Sequence, residues 1–257
     1  MSGLKQKIKN GEAVFGTFIS LGSAVSTEII GTAPWDWVMI DLEHGIGSES
    51  DVLGQLQALA NTNIEVIIRV EGHNRQRIHR VLDMGAHGIM CPHVDSAAEA
   101  ALATKAMRYA PEGLRGVAKM VRATNFGTDF DSYHANQAKN LISVIQIETA
   151  EAVERIEEIA QVPDIDVLFI GPADLSMSLG VFGQLEHPTY LEAEEKIIKT
   201  AQKAGIAVGF LMMNPEDYEK YYNKGVRFFA SGTDAYFLKK TNLETAERLV
   251  NLRNTTK

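Results

Sequence analysis

The sequence predicts an α/β protein folded as a (β/α)8 barrel. Three observations carry this. Short apolar stretches alternate with longer helix-like segments from end to end. The short stretches number eight, the strand count of that barrel, whereas a doubly wound open sheet shares the local pattern but typically has fewer strands. No tandem repeat, low-complexity tract or Pro/Gly/Ser linker interrupts the 257 residues, which favours one continuous domain over 1–257.

Taken in order, the strands are expected at 13–20 (AVFGTFIS), 37–43 (WVMIDLE), 64–70 (IEVIIRV), 88–93 (GIMCPH), 141–148 (LISVIQIE), 166–171 (DVLFIG), 207–213 (AVGFLMM) and 227–232 (RFFASG). Between most of them lie amphipathic segments: SESDVLGQLQALAN, RQRIHRVLDMG, SAAEAALATKAMRYA, AEAVERIEEIA and PEDYEKYYNKG. Several open with a capping residue and close on Gly. One interval breaks the rhythm. Residues 111–140 are too long and too polar for an ordinary helical crossover, and such loops are usually functional or disordered. Their Arg115, Lys119 and Arg122 can meet an anionic substrate or a neighbouring subunit.

Composition narrows the function. With 25 basic and 33 acidic side chains the formal charge is -8, which argues against a grip on nucleic acid or an anionic membrane and for small-molecule chemistry. The single cysteine, Cys91, allows no internal disulfide and no thiolate metal cluster, which suits a reducing compartment; a cytoplasmic location is expected. The amino end lacks the apolar core of a secretory signal, and no run of about 18 apolar residues occurs, so a soluble protein is expected.

Strand alternation then places the polar residues. In 37–43, Val38, Ile40 and Leu42 share one face, and Met39, Asp41 and Glu43 the other, with His44 just beyond. In 141–148, Ile142, Val144, Gln146 and Glu148 go together. Arg69 shares a face with Ile67, and Asp174 follows the sixth strand in GPADLS. All lie at carboxyl ends of strands, the rim where barrel enzymes keep their reactive groups. Singly, each has a structural reading: Arg69 paired with Glu43 or Glu71, Asp174 a helix cap. Jointly, the clustering points to chemistry.

Glu148 and Asp174 supply hard oxygen ligands suited to Mg²⁺, Mn²⁺ or Co²⁺. An ion with only two protein ligands leaves room for a 2-oxo acid to chelate, acts as a Lewis acid on the keto group, and leaves an enolate that Arg69 can stabilise. His44 is the candidate base, with Asp41, three residues earlier, placed to hold one tautomer. His73, His79, His87, His93, His134 and His187 are assigned no role. Backbone N–H groups of Ala173 and Asp174 can receive a substrate carboxylate. None of the eight strands contains a lysine, which disfavours a Schiff-base route, with Lys119 as a residual exception. No dinucleotide, Walker, serine-hydrolase or zincin motif appears.

DLEHG (41–45), Arg69, RGV (115–117), QIET (146–149) and GPADLS (171–176) together resemble the HpcH/HpaI aldolase family, the metal-dependent class II pyruvate aldolases, over residues 3–250. The resemblance implies a (β/α)8 barrel whose last helix, here LETAERLVNLRN, is exchanged between subunits of a hexamer built from dimers. It implies reversible cleavage of a 4-hydroxy-2-oxo acid into pyruvate and an aldehyde. By position it makes His44 the general base, Arg69 the enolate stabiliser, and Glu148 and Asp174 the metal ligands. Gln146 and the GPAD segment, Gly171, Pro172, Ala173 and Asp174, contact substrate. It also implies that Asp83 reaches a neighbouring subunit's site and raises the basicity of His44. The loop GVAKMVRATNFG departs from dicarboxylate-cleaving relatives: an acidic semialdehyde suits Arg122 or Lys119, while a sugar-derived or small apolar aldehyde needs less charge. Two other readings remain open here: an acyl-CoA lyase or oxaloacetate decarboxylase using the same site, and a non-catalytic oligomeric module that binds a 2-oxo acid.

Overall fold

A computed structural model describes residues 3–256. Its eight strands are β1 (Val14–Ile19), β2 (Trp37–Asp41), β3 (Glu65–Arg69), β4 (Gly88–Cys91), β5 (Ile142–Ile147), β6 (Val167–Ile170), β7 (Ala207–Met212) and β8 (Val226–Thr233). They pair in parallel in chain order, and β8 closes on β1 to complete a barrel. Every strand lies inside its expected span except β8, which is longer by one residue at each end.

The helices are α1 (Gly3–Lys9), α2 (Ala24–Ile30), α3 (Glu49–Ala58), α4 (Arg75–Asp83), α5 (Ala97–Ala106), α6 (Phe130–Asn140), α7 (Ala150–Glu154), α8 (Ile156–Ile159), α9 (Pro172–Ser178), α10 (Pro188–Ala204), α11 (Tyr218–Lys224) and α12 (Asp234–Thr255). Their boundaries have local chemical causes. Ser23, Asn74, Ser96, Thr149 and Thr233 each accept an N–H that the first helical turn cannot satisfy internally. Gly205 and Gly225 end α10 and α11 in the left-handed conformation that a side chain would disfavour.

Alternation splits the core into two layers. Trp37, Met39, Ile67, Met90, Val144, Phe169 and Phe228 fill the barrel, whereas Val38, Ile40, Ile68, Ile89, Ile145 and Leu168 pack outward under the helices. Trp37 stacks on Phe228 with ring centroids 4.1 Å apart, and Phe169 meets Phe228 edge-on. Each fully buried side chain of this kind stabilises the fold by about 1.5–3 kcal/mol. Leu4 and Ile8 of α1 join the inner layer, so α1 closes the amino-terminal end. Lys5 reaches in beside them, donating to the Leu141 carbonyl at 2.5 Å and to Asp166 at 2.8 Å. The bottom is sealed and the carboxyl-terminal mouth carries the polar groups.

Two regions differ from the sequence reading or extend it. The interval 111–140 is not an open loop: it holds a 3-10 turn at Arg122–Thr124 and all of α6. Gln137 is the one residue of α6 that is buried, so the helix presents no apolar stripe for periodicity to detect. At the other extreme stands α12, with 22 residues of which only Asp234 is buried. Leu238, Leu243, Leu249, Val250 and Leu252 are exposed along it. Among the described residues, no helix is long and apolar enough to cross a membrane.

Candidate active site

Asp41 and Arg69 are the last residues of β2 and β3 and face each other in register. The pair is bidentate, with Arg69 Nε 2.9 Å from Asp41 Oδ1 and Nη2 2.7 Å from Oδ2. Both are buried. Burial alone would raise the Asp41 carboxyl, but the hydrogen bonds and charge of Arg69 overcome it and hold Asp41 below the ordinary carboxylate range. The remaining Arg69 nitrogen, Nη1, lies 3.0 Å from Glu43 Oε2 and 3.5 Å from Gln146 Oε1, and the guanidinium rests over the Phe18 ring. Arg69 is therefore fixed in direction, as a group that meets developing negative charge must be.

The DLEHG turn is organised by the same carboxylate. Asp41 Oδ1 accepts the backbone N–H groups of Glu43 and His44 at 3.1 and 3.2 Å. A Cβ on Gly45 would stand 2.1 Å from the Asp41 carbonyl oxygen, so only glycine lets the chain fold back this tightly. His44 is carried outward, its side chain 65% exposed. The expected contact between Asp41 and the His44 imidazole is not made: Asp41 holds the His44 backbone while its oxygens are engaged by Arg69, and the ring lies nearest Glu43, at 3.8 Å.

Gln146 and Glu148 come up from β5 on the inner face, both buried, with Gln146 Nε2 donating to Glu148 Oε2. Glu148 Oε1 accepts the backbone N–H of His93 at 2.7 Å. Burial raises the Glu148 carboxyl; the His93 bond and charge oppose this, and the like charges of Glu43 and Asp174 add to it. Gly171 ends β6 against this pair: a Cβ there would lie 2.8 Å from both Gln146 Nε2 and Glu148 Oε2. Pro172 then opens α9 at its first position, and Ala173 and Asp174 follow, exposed in the first turn where N–H groups lack intrahelical acceptors.

One rim residue escaped the sequence reading. His93 lies two residues past β4 with φ +50°, and its ring is placed between Glu43 and Glu148. Glu43, His93 and Glu148 each offer a donor atom, all within 4.8 Å of one another. Asp174 is outside that tight group and acts on Glu148 through its charge. Its place at the carboxyl end of β4 is the signal that marks His93, by the same positional rule that marked Asp41 and Arg69.

Other candidates lie elsewhere. Asp83 ends α4, which returns from the rim, so in its own chain it stands at the opposite end of the barrel, 2.7 Å from Arg115 Nη2. Arg115 is itself buried against Tyr109 and Tyr133 and is closed to a substrate. Arg122 donates to the Met84 carbonyl at 2.8 Å, and Lys119 sits over the Phe130 ring. Arg115 and Arg122 are thus engaged within this chain, whereas Lys119 remains exposed beside Phe130.

The family model described as "HpcH/HpaI aldolase/citrate lyase" matches residues 14–240. The chain belongs to that family. It is 35% identical over 252 residues to a hydroxypyruvate/pyruvate aldolase of Paraburkholderia phytofirmans, covering 96% of both chains. It is 36% identical to a 4-hydroxy-2-oxo-heptane-1,7-dioate aldolase of Klebsiella pneumoniae, covering 98% of this chain and 95% of the relative. The crystal structure of a family member from Burkholderia cenocepacia superposes with a TM-score of 0.92 at 33% identity, over 97% of this chain and 99% of that one. This HpcH/HpaI member is an enzyme, a carbon–carbon lyase, and the reading as a non-catalytic module is set aside.

Proposed function

We propose that the protein catalyses the reversible aldol cleavage of a 4-hydroxy-2-oxo acid into pyruvate and an aldehyde with a divalent cation, Mg²⁺, Mn²⁺ or Co²⁺. The observation that carries this reading is the rigid Arg69 guanidinium, locked by Asp41 and Glu43, beside a buried Glu148 crowded by like charge. The donor set fits a hard or borderline cation. Burial raises Glu148 and the like charges of Glu43 and Asp174 add to it, a repulsion that a cation relieves. Glu148 and Asp174 are the residues proposed to hold the ion. When bound, it supplies Lewis-acid polarisation of a keto group.

The chain's own groups divide the remaining work. Gln146 and the turn Gly171, Pro172, Ala173 and Asp174 position the oxo acid at the mouth. In cleavage His44 takes the proton of the 4-hydroxyl, the C3–C4 bond breaks, and its electron pair forms the pyruvate enolate, which protonation at C3 converts to pyruvate. Arg69 faces the enolate charge. His44 is exposed enough to serve a substrate arriving from solvent. Arg115 is buried and Arg122 is engaged at the Met84 carbonyl, which leaves exposed Lys119 as the one of these three cations able to meet an acidic semialdehyde.

The active form is proposed to be a cytoplasmic homo-oligomer, a hexamer built as a trimer of dimers with α12 exchanged between subunits. The exposed leucines of α12 support this, and so does Asp83, whose distance from its own rim suits a role in a neighbour's site. Pyruvate release from a panel of 4-hydroxy-2-oxo acids, with and without chelator, tests the reaction. Activity unchanged after metal removal contradicts it. Carbon dioxide release from oxaloacetate without aldol cleavage would instead favour the decarboxylase reading of the same site.

A further inference from the structure

We propose that Arg115 is a positioning residue for the aldol reaction: buried in one subunit, it fixes Asp83 and aims it outward at the His44 imidazole of a second copy of this chain. This rests on the reading above that Asp83 serves a neighbour's site, and it gives a task to a cation that no substrate can reach.

Asp83 is an acid in an unfavourable place. It is the last residue of α4, where the negative end of the helix dipole disfavours a carboxylate. Arg115 holds it there, with Nη2 donating to Asp83 Oδ1 at 2.7 Å. The Arg115 side chain is fully buried, whereas that of Asp83 is 24% exposed. The guanidinium is fixed in turn. Its Nη1 donates to the Tyr133 hydroxyl at 2.9 Å, and its carbon lies over the Tyr109 and Tyr133 rings, 4.8 and 5.4 Å from their centroids. The Arg115 backbone N–H is bonded to the Arg108 carbonyl at 2.7 Å.

Stability is a poor reason for this arrangement. Arg115 Nε is buried without a hydrogen bond, and an incompletely satisfied buried ion pair gains little over apolar packing. What the pair supplies is direction. Asp83 Oδ2 makes no hydrogen bond among the described residues, and the residue borders a cleft of about 400 Å³ beside exposed Leu53, Met120 and Phe126. One anchored oxygen and one free oxygen make a preset acceptor for an N–H. The exposed His44 ring lacks such an acceptor in its own chain: among the described residues it makes no hydrogen bond, and Asp41 is taken by Arg69.

Steady-state kinetics on the full-length enzyme test this, with circular dichroism to confirm folding. Arg115→Gln should lower kcat by about 10–100-fold, the scale of a reacting group misplaced by up to about 1 Å. KM should change less than about twofold, because the substrate is not touched. Arg115→Lys, which keeps the charge without the planar fork, should fall between the two. In an Asp83→Asn background neither change should lower kcat further, since Arg115 acts only through that carboxylate. Tyr133→Phe removes a single hydroxyl and should show the same dependence on Asp83 at smaller amplitude, which keeps the test open if Arg115→Gln does not fold. Hybrids of Asp83→Asn and His44→Ala subunits should regain activity, because an intact Asp83 then meets an intact His44 across the interface. Full kcat in folded Arg115→Gln, or a loss that adds to that of Asp83→Asn, overturns the role of Arg115 alone. Hybrids that regain nothing overturn the reading that Asp83 serves a neighbour, and the proposal with it.

Discussion

Replacing Gly171 by Ala tests how β6 sets the site. The glycine adopts φ -91° and ψ 92°, a conformation open to alanine, so the effect is steric rather than conformational. The new methyl would stand 2.8 Å from Gln146 Nε2, 2.8 Å from Glu148 Oε2 and 3.1 Å from Glu148 Cβ. Comfortable contact needs about 3.5 Å, so the two side chains must retreat by roughly 0.7 Å. The backbone cannot yield instead, because the Gly171 N–H is bonded to the Ile147 carbonyl at 3.2 Å within the barrel. Glu148 is also held from the other side by His93. A reacting group misplaced by about 1 Å costs about 10²-fold. The expected kcat/KM is therefore lower by about 10–100-fold, equivalent to ~1.4–2.7 kcal/mol of transition-state stabilisation. Overpacking should cost a further ~1–3 kcal/mol of stability. Steady-state pyruvate release and Mn²⁺ titration, with circular dichroism to confirm folding, make the measurement. A Gly171→Ala protein with unaltered kcat/KM and Mn²⁺ affinity refutes the argument that this close approach places Glu148.

Asp41→Ala removes the bidentate partner of a buried guanidinium and should destabilise the protein by about 3–5 kcal/mol in chemical denaturation. In the unaltered protein Asp41 is held below its ordinary value, so its stabilisation is full above the unfolded carboxyl value near 3.9 and is lost as pH falls through the lower folded one; the variant should lack that acid limb. Burial pushes the Cys91 thiol up to about 12, so a disulfide reagent at pH 8 should label the unfolded protein and leave the native one untouched. Leu249→Asp with Leu252→Asp on exposed α12 should leave the barrel's circular dichroism intact and shrink the particle seen by light scattering; an unchanged mass excludes α12 from the assembly.

The barrel was legible because its inner and outer faces are both apolar and both buried, so each strand stands out as a short run between polar segments. Parity then carried Asp41, Glu43, Arg69, Gln146 and Glu148 to one mouth, since a strand leaves a side chain only two directions. The reading weakened where strands stop. His93 closes the expected strand 88–93, but the strand stops at Cys91 and His93 follows Pro92 with a left-handed backbone, so alternation says nothing of its direction and the sequence assigns it no role. The His44 ring likewise follows the turn, and its neighbour is Glu43 rather than Asp41. In α6 there was no buried face to detect. Asp83 eluded the residue-level reading for a different reason: nothing within its own chain explains it beyond its pair with Arg115.

Charge supplies the last constraint. Asp41, Glu43 and Glu148 gather near a single guanidinium, Asp174 adds its charge at Glu148, and Arg69 is already satisfied by Asp41 and Glu43. A 2-oxo acid brings one more carboxylate to this mouth. Without a cation it meets an excess of like charge at short range, where the screening of bulk water is reduced. Pyruvate should therefore bind measurably by calorimetry with Mn²⁺ present and not to the metal-free protein, and Glu148→Gln should abolish the difference. Equal pyruvate affinity with and without the ion would mean that Arg69 and the first turn of α9 suffice to hold the substrate, leaving the acidic cluster to be explained in some other way.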